Sequence, residues 1–106
     1  MDRKLFFERL TSKKSVLVVF VTGNNCVFCD RIKPYVYAKR DQFTFLHIDR
    51  ERDSNLYSLL VTKKQIKGVP SLLAYDTENY TIYADLSISG INTNEIDAFF
   101  DKLDFL

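Results

Sequence analysis

The architecture of the chain follows from residues 16–34, VLVVFVTGNNCVFCDRIKP. The first six of them, Val16 to Val21, are all apolar, and four are valine. Such a run is too short to cross a membrane and too uniformly apolar for a half-exposed strand. It predicts a strand buried on both faces, in the middle of an α/β sheet. Thr22 to Asn25 then break the pattern with turn-forming residues.

Both cysteines of the chain, Cys26 and Cys29, follow this turn, in what we predict to be the first turn of a helix. The first N–H groups of a helix lack intrahelical partners, and the macrodipole adds partial positive charge there. Both effects stabilise a thiolate, so we expect the pKa of Cys26 to lie below that of a free cysteine. Cys29, one turn further on, lies on the same face and can bond Cys26 after little rearrangement. The pair predicts one thiol that attacks and one that resolves.

Two other interpretations of the cysteine pair are open. Cys-X-X-Cys is also half of a zinc site, but a structural zinc site needs four ligands. The chain has no further cysteine and a single histidine, His47, so such a site is one ligand short and we predict no metal. Alternatively, both cysteines are buried and inert, an interpretation against which the strand–turn–helix context argues.

The composition limits the classes of protein to which the chain can belong. At 106 residues, 46% of them hydrophobic, we predict a single domain over residues 1–106. The net charge is +1 and no run of one sign stands out, so we expect neither nucleic acid nor membrane as a partner. The amphipathic N-terminus lacks the apolar core of a signal peptide. We therefore expect a cytoplasmic protein, and in that compartment Cys-X-X-Cys is more often catalytic than structural. We also expect a monomer.

Hydrophobic periodicity predicts the element order α-β-α-β-α-β-β-α. The predicted helices cover residues 2–12, 26–39 with a kink at Pro34, 55–64, and a final stretch after Gly90 with Asn92 or Thr93 as N-cap. The predicted strands after the first are 43–48, parallel to it, then 69–75 and, antiparallel to that, 80–86.

Three further features come from local sequence. The charged segment Asp49 to Asp53 is most simply a solvated loop. His47 interrupts the second strand, and a lone histidine there is more often a satisfied or half-exposed residue than a catalyst. A proline at the start of a strand is tolerated, and the Val69–Pro70 bond can be cis.

These features together resemble the thioredoxin superfamily over nearly the whole chain. The residues that carry the resemblance are Cys26-Val27-Phe28-Cys29, Pro34 at the family's spacing, Gly68-Val69-Pro70-Ser71 at the start of a strand, and Gly90 before the last helix. The resemblance implies an α/β thioredoxin fold, a central mixed sheet of about four strands flanked by helices on both faces. Pro34 and Gly90 would be structural residues of that fold.

The resemblance also implies roles for the site residues. Cys26 would be the nucleophile and Cys29 the resolving thiol. The Val69–Pro70 bond would be cis, with its loop facing the cysteines. The free backbone of Val69 would then pair with an extended substrate segment, and Pro70 would keep metal ions from the thiols.

Several positions depart from the thioredoxin pattern. Asn25 stands where thioredoxins carry tryptophan, and Val27-Phe28 replaces their Gly-Pro. Asp30 replaces a usual lysine, and its carboxylate disfavours a nearby thiolate. Val19 or Phe20 takes the place of the family's buried acid. The pair Val27-Phe28 is closer to glutaredoxins, although no clear Gly-Gly-Asp-type glutathione segment is present.

We predict a thiol–disulfide oxidoreductase that reduces or exchanges protein disulfides through the Cys26/Cys29 dithiol. It would need no bound cofactor and would take electrons from a reductase or glutathione. Phe28, beside Val27, would contribute to substrate docking, unless both pack against the loop. Two alternatives are a non-catalytic binding or scaffold module, and a glutaredoxin-like protein that uses glutathione or binds a [2Fe–2S] cluster.

Overall fold

The computed structural model describes residue 3 and residues 16–39, 43–76, 81–90 and 92–103. Its elements are β1 Val16–Thr22, α1 Val27–Tyr37, β2 Thr44–Asp49, α2 Ser54–Thr62, β3 Ser71–Asp76, β4 Leu86–Ser89 and α3 Thr93–Lys102. The predicted opening helix lies outside the described residues, apart from residue 3. Among the described helices, none has the length and the apolar character that crossing a membrane requires.

The strands form one mixed sheet of four, in the order β2-β1-β3-β4. Strand β2 is parallel to β1, as predicted, with Val19 opposite Leu46. Strands β3 and β4 are each antiparallel to the strand before them in the sheet, so that Val19 faces Leu73 on its other side and Leu73 faces Ser87. The predicted mixed sheet of about four strands is confirmed.

Strand β1 is buried on both faces, as its apolar sequence predicts, and all seven of its residues are buried. Successive side chains of a strand point to opposite faces, so β1 supplies two cores. Leu17, Val19 and Val21 pack against α2, and the other residues of that core include Leu46, Ile48, Leu56, Leu60, Leu73 and Tyr75. Val16, Val18 and Phe20 pack under α1 and α3, with Ile32, Val36, Leu72, Ala74, Ile96, Phe99, Phe100 and Leu103. Helices therefore cover both faces of the sheet.

Helices α1 and α3 begin and end close to the predicted residues. Pro34 lies inside α1, and the helix ends at Tyr37, two residues before the predicted end. Asn92 is the N-cap of α3, where its side-chain oxygen accepts the Glu95 N–H at 3.1 Å and so pairs one of the free donors of the first turn. The amphipathic pattern that predicted α3 is confirmed by the burial of Ile96 and Phe99.

The predicted strand over residues 80–86 is wrong. The edge strand is Leu86–Ser89, and the described residues before it form a loop. The Tyr75 hydroxyl donates to the Ile82 carbonyl at 2.9 Å, and the Ala84 N–H donates to Gln65 Oε1 at 2.7 Å. These side chains bond backbone groups that a ladder would otherwise use. Ile82 and Ala84 pack on the α2-side core without being part of a strand, which explains the misleading alternation.

The segment from Asp49 to Asp53 is not simply a solvated loop but a turn ordered by hydrogen bonds between its carboxylates and its backbone. Asp49 Oδ1 accepts the N–H groups of Glu51 and Arg52, both at 3.0 Å. Asp53, whose side chain is 2% exposed, accepts the Asp49 N–H at 2.8 Å and pairs with Arg52 Nη2 at 2.8 Å. Carboxylates that bond backbone donors fix a backbone shape, so the charges here order the chain rather than only solvate it.

Asp53→Asn should lower the free energy of unfolding at pH 7 by about 2 kcal/mol. Burial alone would raise the pKa of Asp53, but hydrogen bonds from Arg52 and the Asp49 N–H outweigh it and lower the pKa from 3.8 to about 2. A lowered pKa gives stability that is present above pH 3.8 and is lost as the pH falls through about 2. Urea unfolding of the wild type and of Asp53→Asn at pH 7 and at pH 3 measures the difference in their free energies of unfolding.

The matched control is Asp101→Asn, at an exposed aspartate of α3. Its unfolding free energy should stay within about 0.5 kcal/mol of the wild type at both pH values. Equal losses for Asp53→Asn and Asp101→Asn at pH 7 would contradict the assignment of Asp53 as a structural carboxylate.

Candidate active site

The strand register brings four segments to one end of the sheet. Thr22, the last residue of β1, lies opposite Asp49, the last residue of β2. Val21 lies opposite Ser71, the first residue of β3, and Ser71 lies opposite Ser89, the last residue of β4. Four segments therefore share this edge. They are the cysteine loop after β1 (residues 23–26), the charged turn at the end of β2 (residues 49–53), the Val69–Pro70 segment before β3, and Gly90 after β4.

The turn after β1 delivers Cys26 to the start of α1. Asn25 has a positive φ of 55°, a conformation that asparagine tolerates better than most residues. Cys26 is the N-cap, with an extended backbone, and its Sγ accepts the Cys29 N–H at 3.0 Å. Cys26 was predicted to lie in the first turn of the helix, and the structure places it one residue before that turn. A sulfur here faces the free donors and the positive end of the helix.

Cys26 and Cys29 form a disulfide, with their Cα atoms 5.2 Å apart. The two sulfurs differ in environment: Cys26 is partly exposed, whereas Cys29 is 1% exposed. Cys26 is therefore the more accessible of the two sulfurs to an incoming molecule. This asymmetry excludes the interpretation of two buried, inert cysteines.

The Val69–Pro70 peptide bond is cis, as predicted. Pro70 is buried and Val69 is half-buried. Within the described residues, neither the N–H nor the carbonyl of Val69 has a backbone hydrogen-bond partner. Gly90, with a positive φ of 114°, donates its N–H to the Pro70 carbonyl at 3.0 Å, which ties the end of β4 to this segment. A side chain at that φ would be strained, which explains the glycine.

The residues between the two cysteines face solvent. Val27 is 62% exposed and Phe28 is 52% exposed, and the Arg31 guanidinium carbon lies 5.7 Å from the centre of the Phe28 ring. Packing against the loop does not cover these side chains. The N-terminal end of α1 therefore presents an apolar surface with the Arg31 cation beside it, directly after the partly exposed Cys26 in the chain.

The sheet surface beneath α1 is apolar at the position where the resemblance implies a buried acid. Of the two residues that the sequence left open, Val19 faces α2, and Phe20 faces α1, the helix that carries Cys29. His47 lies opposite Phe20 on β2 and stacks on its ring at 5.5 Å between centroids. The His47 imidazole is in turn 2.6 Å from Thr22 Oγ1, and β1 carries no carboxylate on the face covered by α1.

The charged turn after β2 contacts the cysteine loop, a link that the sequence interpretation missed. The Asn24 N–H donates to Glu51 Oε2 at 3.0 Å, and the Arg50 N–H donates to the Thr22 carbonyl at 2.7 Å. A signal existed in the sequence, because two parallel strands end at the same edge and the segments that follow them must lie side by side. In the part of the chain that the structure describes, no cluster of three or more potential metal ligands is present.

Comparison with solved structures identifies the fold. Plasmodium falciparum thioredoxin superposes with a TM-score of 0.74 and 22% identity, over 94% of this chain and 80% of that one. Chlamydomonas reinhardtii thioredoxin f2 gives 0.74 and 19%, over 97% and 93%. Schistosoma mansoni thioredoxin pre-protein gives 0.72 and 16%, over 95% and 90%. The chain has the thioredoxin fold. No family model matches its sequence, and a search of curated proteins returned no match.

The superpositions extend over 94% or more of this chain and so include the edge at which the four segments meet. At identities of 22% or less, the likeness is one of backbone architecture.

After reduction, iodoacetamide at pH 7 should modify Cys26 at least about tenfold faster than Cys29, because thiol reactivity requires exposure and a stabilised thiolate. Peptide mapping by mass spectrometry after a short pulse measures both rates. The control is the same pulse in denaturant, where the two cysteines should react at similar rates. Equal rates in the folded protein would contradict the assigned asymmetry.

His47 should make stability fall as the pH drops below 6.5. Burial first, and then the charges of Arg52 and Lys33, lower the pKa of His47 below its ordinary 6.5. The unfolded chain then binds a proton before the folded one does, so the stability is complete above pH 6.5 and is lost on acidification towards the lowered pKa. Urea unfolding at pH 7.5 and 5.5 should show a smaller pH effect in His47→Gln than in the wild type, and parallel losses would contradict this.

Proposed function

We propose that the protein is a thiol–disulfide oxidoreductase that reduces or exchanges protein disulfides through Cys26 and Cys29. The observation that carries the proposal is the position of the cysteine pair, with a partly exposed Cys26 Sγ at the N-cap of α1, 3.0 Å from the Cys29 N–H, and a buried Cys29 bonded to it. A reactive thiol needs this combination of access and local positive potential.

The proposed reaction has two steps, and together they move two electrons. The Cys26 thiolate attacks one sulfur of a substrate disulfide, a Cys26–substrate disulfide forms, and the other substrate sulfur leaves as a thiolate and takes a proton. The Cys29 thiol then loses its proton and attacks Cys26 Sγ, which releases the second substrate thiolate. The substrate ends as a dithiol, and the protein ends with the Cys26–Cys29 disulfide seen in the structure.

The backbone of Val69, which has no backbone partner among the described residues, supports a docking mode for the substrate. An extended segment that carries the disulfide could pair with its N–H and carbonyl, as a strand adds to an open edge. We assign Val69 and Pro70 to substrate binding together with Phe28, an exposed residue of the first turn of α1, two positions after Cys26. Backbone pairing is independent of sequence, so this contact fits a class of substrates rather than one protein.

The electrons for the next cycle would come from a reductase or from two molecules of glutathione, and no bound cofactor takes part because the dithiol itself carries them. We place the reaction in the cytoplasm, in a monomer, with reduction as the preferred direction. Val27, Phe28 and Asp30 are the local determinants of the potential, and the exposed Asp30 carboxylate is paired with Lys33 Nζ at 3.3 Å.

The experiment is the reduction potential of the Cys26–Cys29 pair, measured by equilibration in glutathione buffers and alkylation of free thiols. We expect a value near about −270 mV, in the range of a cytosolic reductant. A value of about −120 to −180 mV would indicate an oxidant or isomerase and would contradict the assigned direction and compartment.

Two variants test the assigned roles. Cys29→Ser should accumulate a mixed disulfide with a disulfide-bonded protein substrate, because the second step is blocked, whereas Cys26→Ser should form none. Non-reducing electrophoresis with mass spectrometry identifies the adduct. If the cysteines form no disulfide at any buffer potential, or if Cys26→Ser forms the adduct equally well, the oxidoreductase proposal fails and a scaffold role replaces it.

A further inference from the structure

We propose that Glu51 is a positioning residue for Cys26, because its carboxylate fixes the turn that delivers the sulfur to the start of α1. This inference rests on the proposed function, since it assigns to Glu51 a part in presenting the attacking thiol. Glu51 lies on the charged turn after β2, and its side chain does not touch either cysteine in the described contacts; it acts through Asn24.

The contacts of Glu51 form a bridge between the two loops. One carboxylate oxygen, Oε2, accepts the Asn24 N–H at 3.0 Å. The other, Oε1, is 2.8 Å from Arg50 Nη2 and 2.9 Å from Arg50 Nε, so two guanidinium nitrogens share one carboxylate oxygen. The Arg50 N–H in turn donates to the Thr22 carbonyl at 2.7 Å. The cysteine loop is thus bonded to the charged turn on both sides of Gly23.

Gly23 makes the close approach feasible. A Cβ atom at this position would lie 2.8 Å from the Arg50 guanidinium carbon, so the guanidinium lies against the bare backbone of the turn. A larger residue here would push Arg50 away and alter its geometry with Glu51. The guanidinium thus occupies the space that a side chain at residue 23 would take, and Gly23 itself carries no positive φ.

The charged turn is itself rigid enough to hold another loop. Asp49 Oδ1 bonds two backbone N–H groups of the turn, including that of Glu51 at 3.0 Å. The buried Asp53 closes it by accepting the Asp49 N–H at 2.8 Å, and Arg52 links Asp53 to the His47 carbonyl at 3.0 Å. Glu51 therefore extends from a fixed base, which a side chain on a loose loop would lack.

The position of Cys26 depends on the turn because Asn24 is only two residues before it. Asn25 has a positive φ of 55°, and Cys26 after it has an extended backbone conformation. These two conformations together bring Cys26 Sγ to the Cys29 N–H at 3.0 Å. Without the Glu51 contact the turn gains other conformations, and Sγ spends less time at the helix N-terminus. The negative charge of Glu51 acts in the opposite sense, since a nearby carboxylate disfavours a thiolate.

The test separates these two effects with variants of equal charge. Glu51→Gln retains a side-chain oxygen that can accept the Asn24 N–H, and Glu51→Ala removes it, so their difference reports the loss of the side-chain contacts at equal charge. Each is made in a Cys29→Ser background, and the alkylation of reduced Cys26 by iodoacetamide is followed as a function of pH. Glu95→Ala, at an exposed glutamate of α3, is the matched control and should leave the profile unchanged.

We expect Glu51→Ala to react about 3- to 10-fold more slowly at pH 7 than Glu51→Gln, the effect of one hydrogen bond, with its profile shifted to higher pH. Amide exchange at Asn24 should accelerate in Glu51→Ala and stay slow in Glu51→Gln. Identical profiles and exchange rates in the two variants would overturn the proposal, and a shift to lower pH common to both would then show that Glu51 acts on Cys26 through its charge alone. Neither readout uses a substrate or turnover, so failure here is distinct from failure of the proposed function.

Discussion

The burial of β1 on both faces is the constraint on which the rest of the structure depends. Its alternate side chains fill two cores, so every residue from Val16 to Val21 is buried. The same packing fixes the register of both neighbouring strands. Because β2 is parallel to β1 and β3 is antiparallel to it, the end of β1, the end of β2 and the start of β3 meet at one edge. The chain leaves β1 at that edge with the loop that carries Cys26. Cys26 is therefore positioned by the strand that is buried along its whole length.

The chemistry at this edge depends on backbone geometry more than on buried charge. On the face covered by α1, the side chains of β1 are Val16, Val18 and Phe20, so this strand offers Cys29 no carboxylate as a proton acceptor. The stabilisation available to Cys26 comes from the N–H groups and the dipole of α1, and it falls off within the first turn of a helix. A small displacement of Sγ then changes reactivity substantially. A site of this kind requires accurate placement of the loop before the helix.

The elements that sequence analysis predicted well are those whose local signals agree with their packing. The buried valine strand and the helix after Cys26 each follow from one stretch of residues, and local sequence limits the N-cap of α3 to Asn92 or Thr93. The cis bond before Pro70 was implied by the family resemblance, since local sequence only allows it. The predicted strand over residues 80–86 failed because Ile82 and Ala84 alternate as a strand does, while distant groups, Tyr75 and Gln65, bond the backbone instead. The site was predicted in the same uneven way. The cysteines stand out by type and spacing, whereas the contact of Glu51 with Asn24 spans 27 residues and appears only once the strands are paired.

The charged turn was interpreted as a solvated loop because of its composition. The register of β1 and β2 would have shown instead that it lies beside the cysteine loop. Exposed ion pairs contribute little to stability, so a run of alternating charges is ordinarily interpreted as solvated surface. In this turn, however, Asp49, Glu51 and Asp53 each direct a carboxylate oxygen at a backbone N–H, and only Asp53 is buried. Bonds to backbone donors determine conformation even when their net free energy is small. The turn follows a strand parallel to β1, which makes its shape a determinant of the neighbouring cysteine loop. The charges are therefore better understood by what they hold in place than by how much they stabilise the fold.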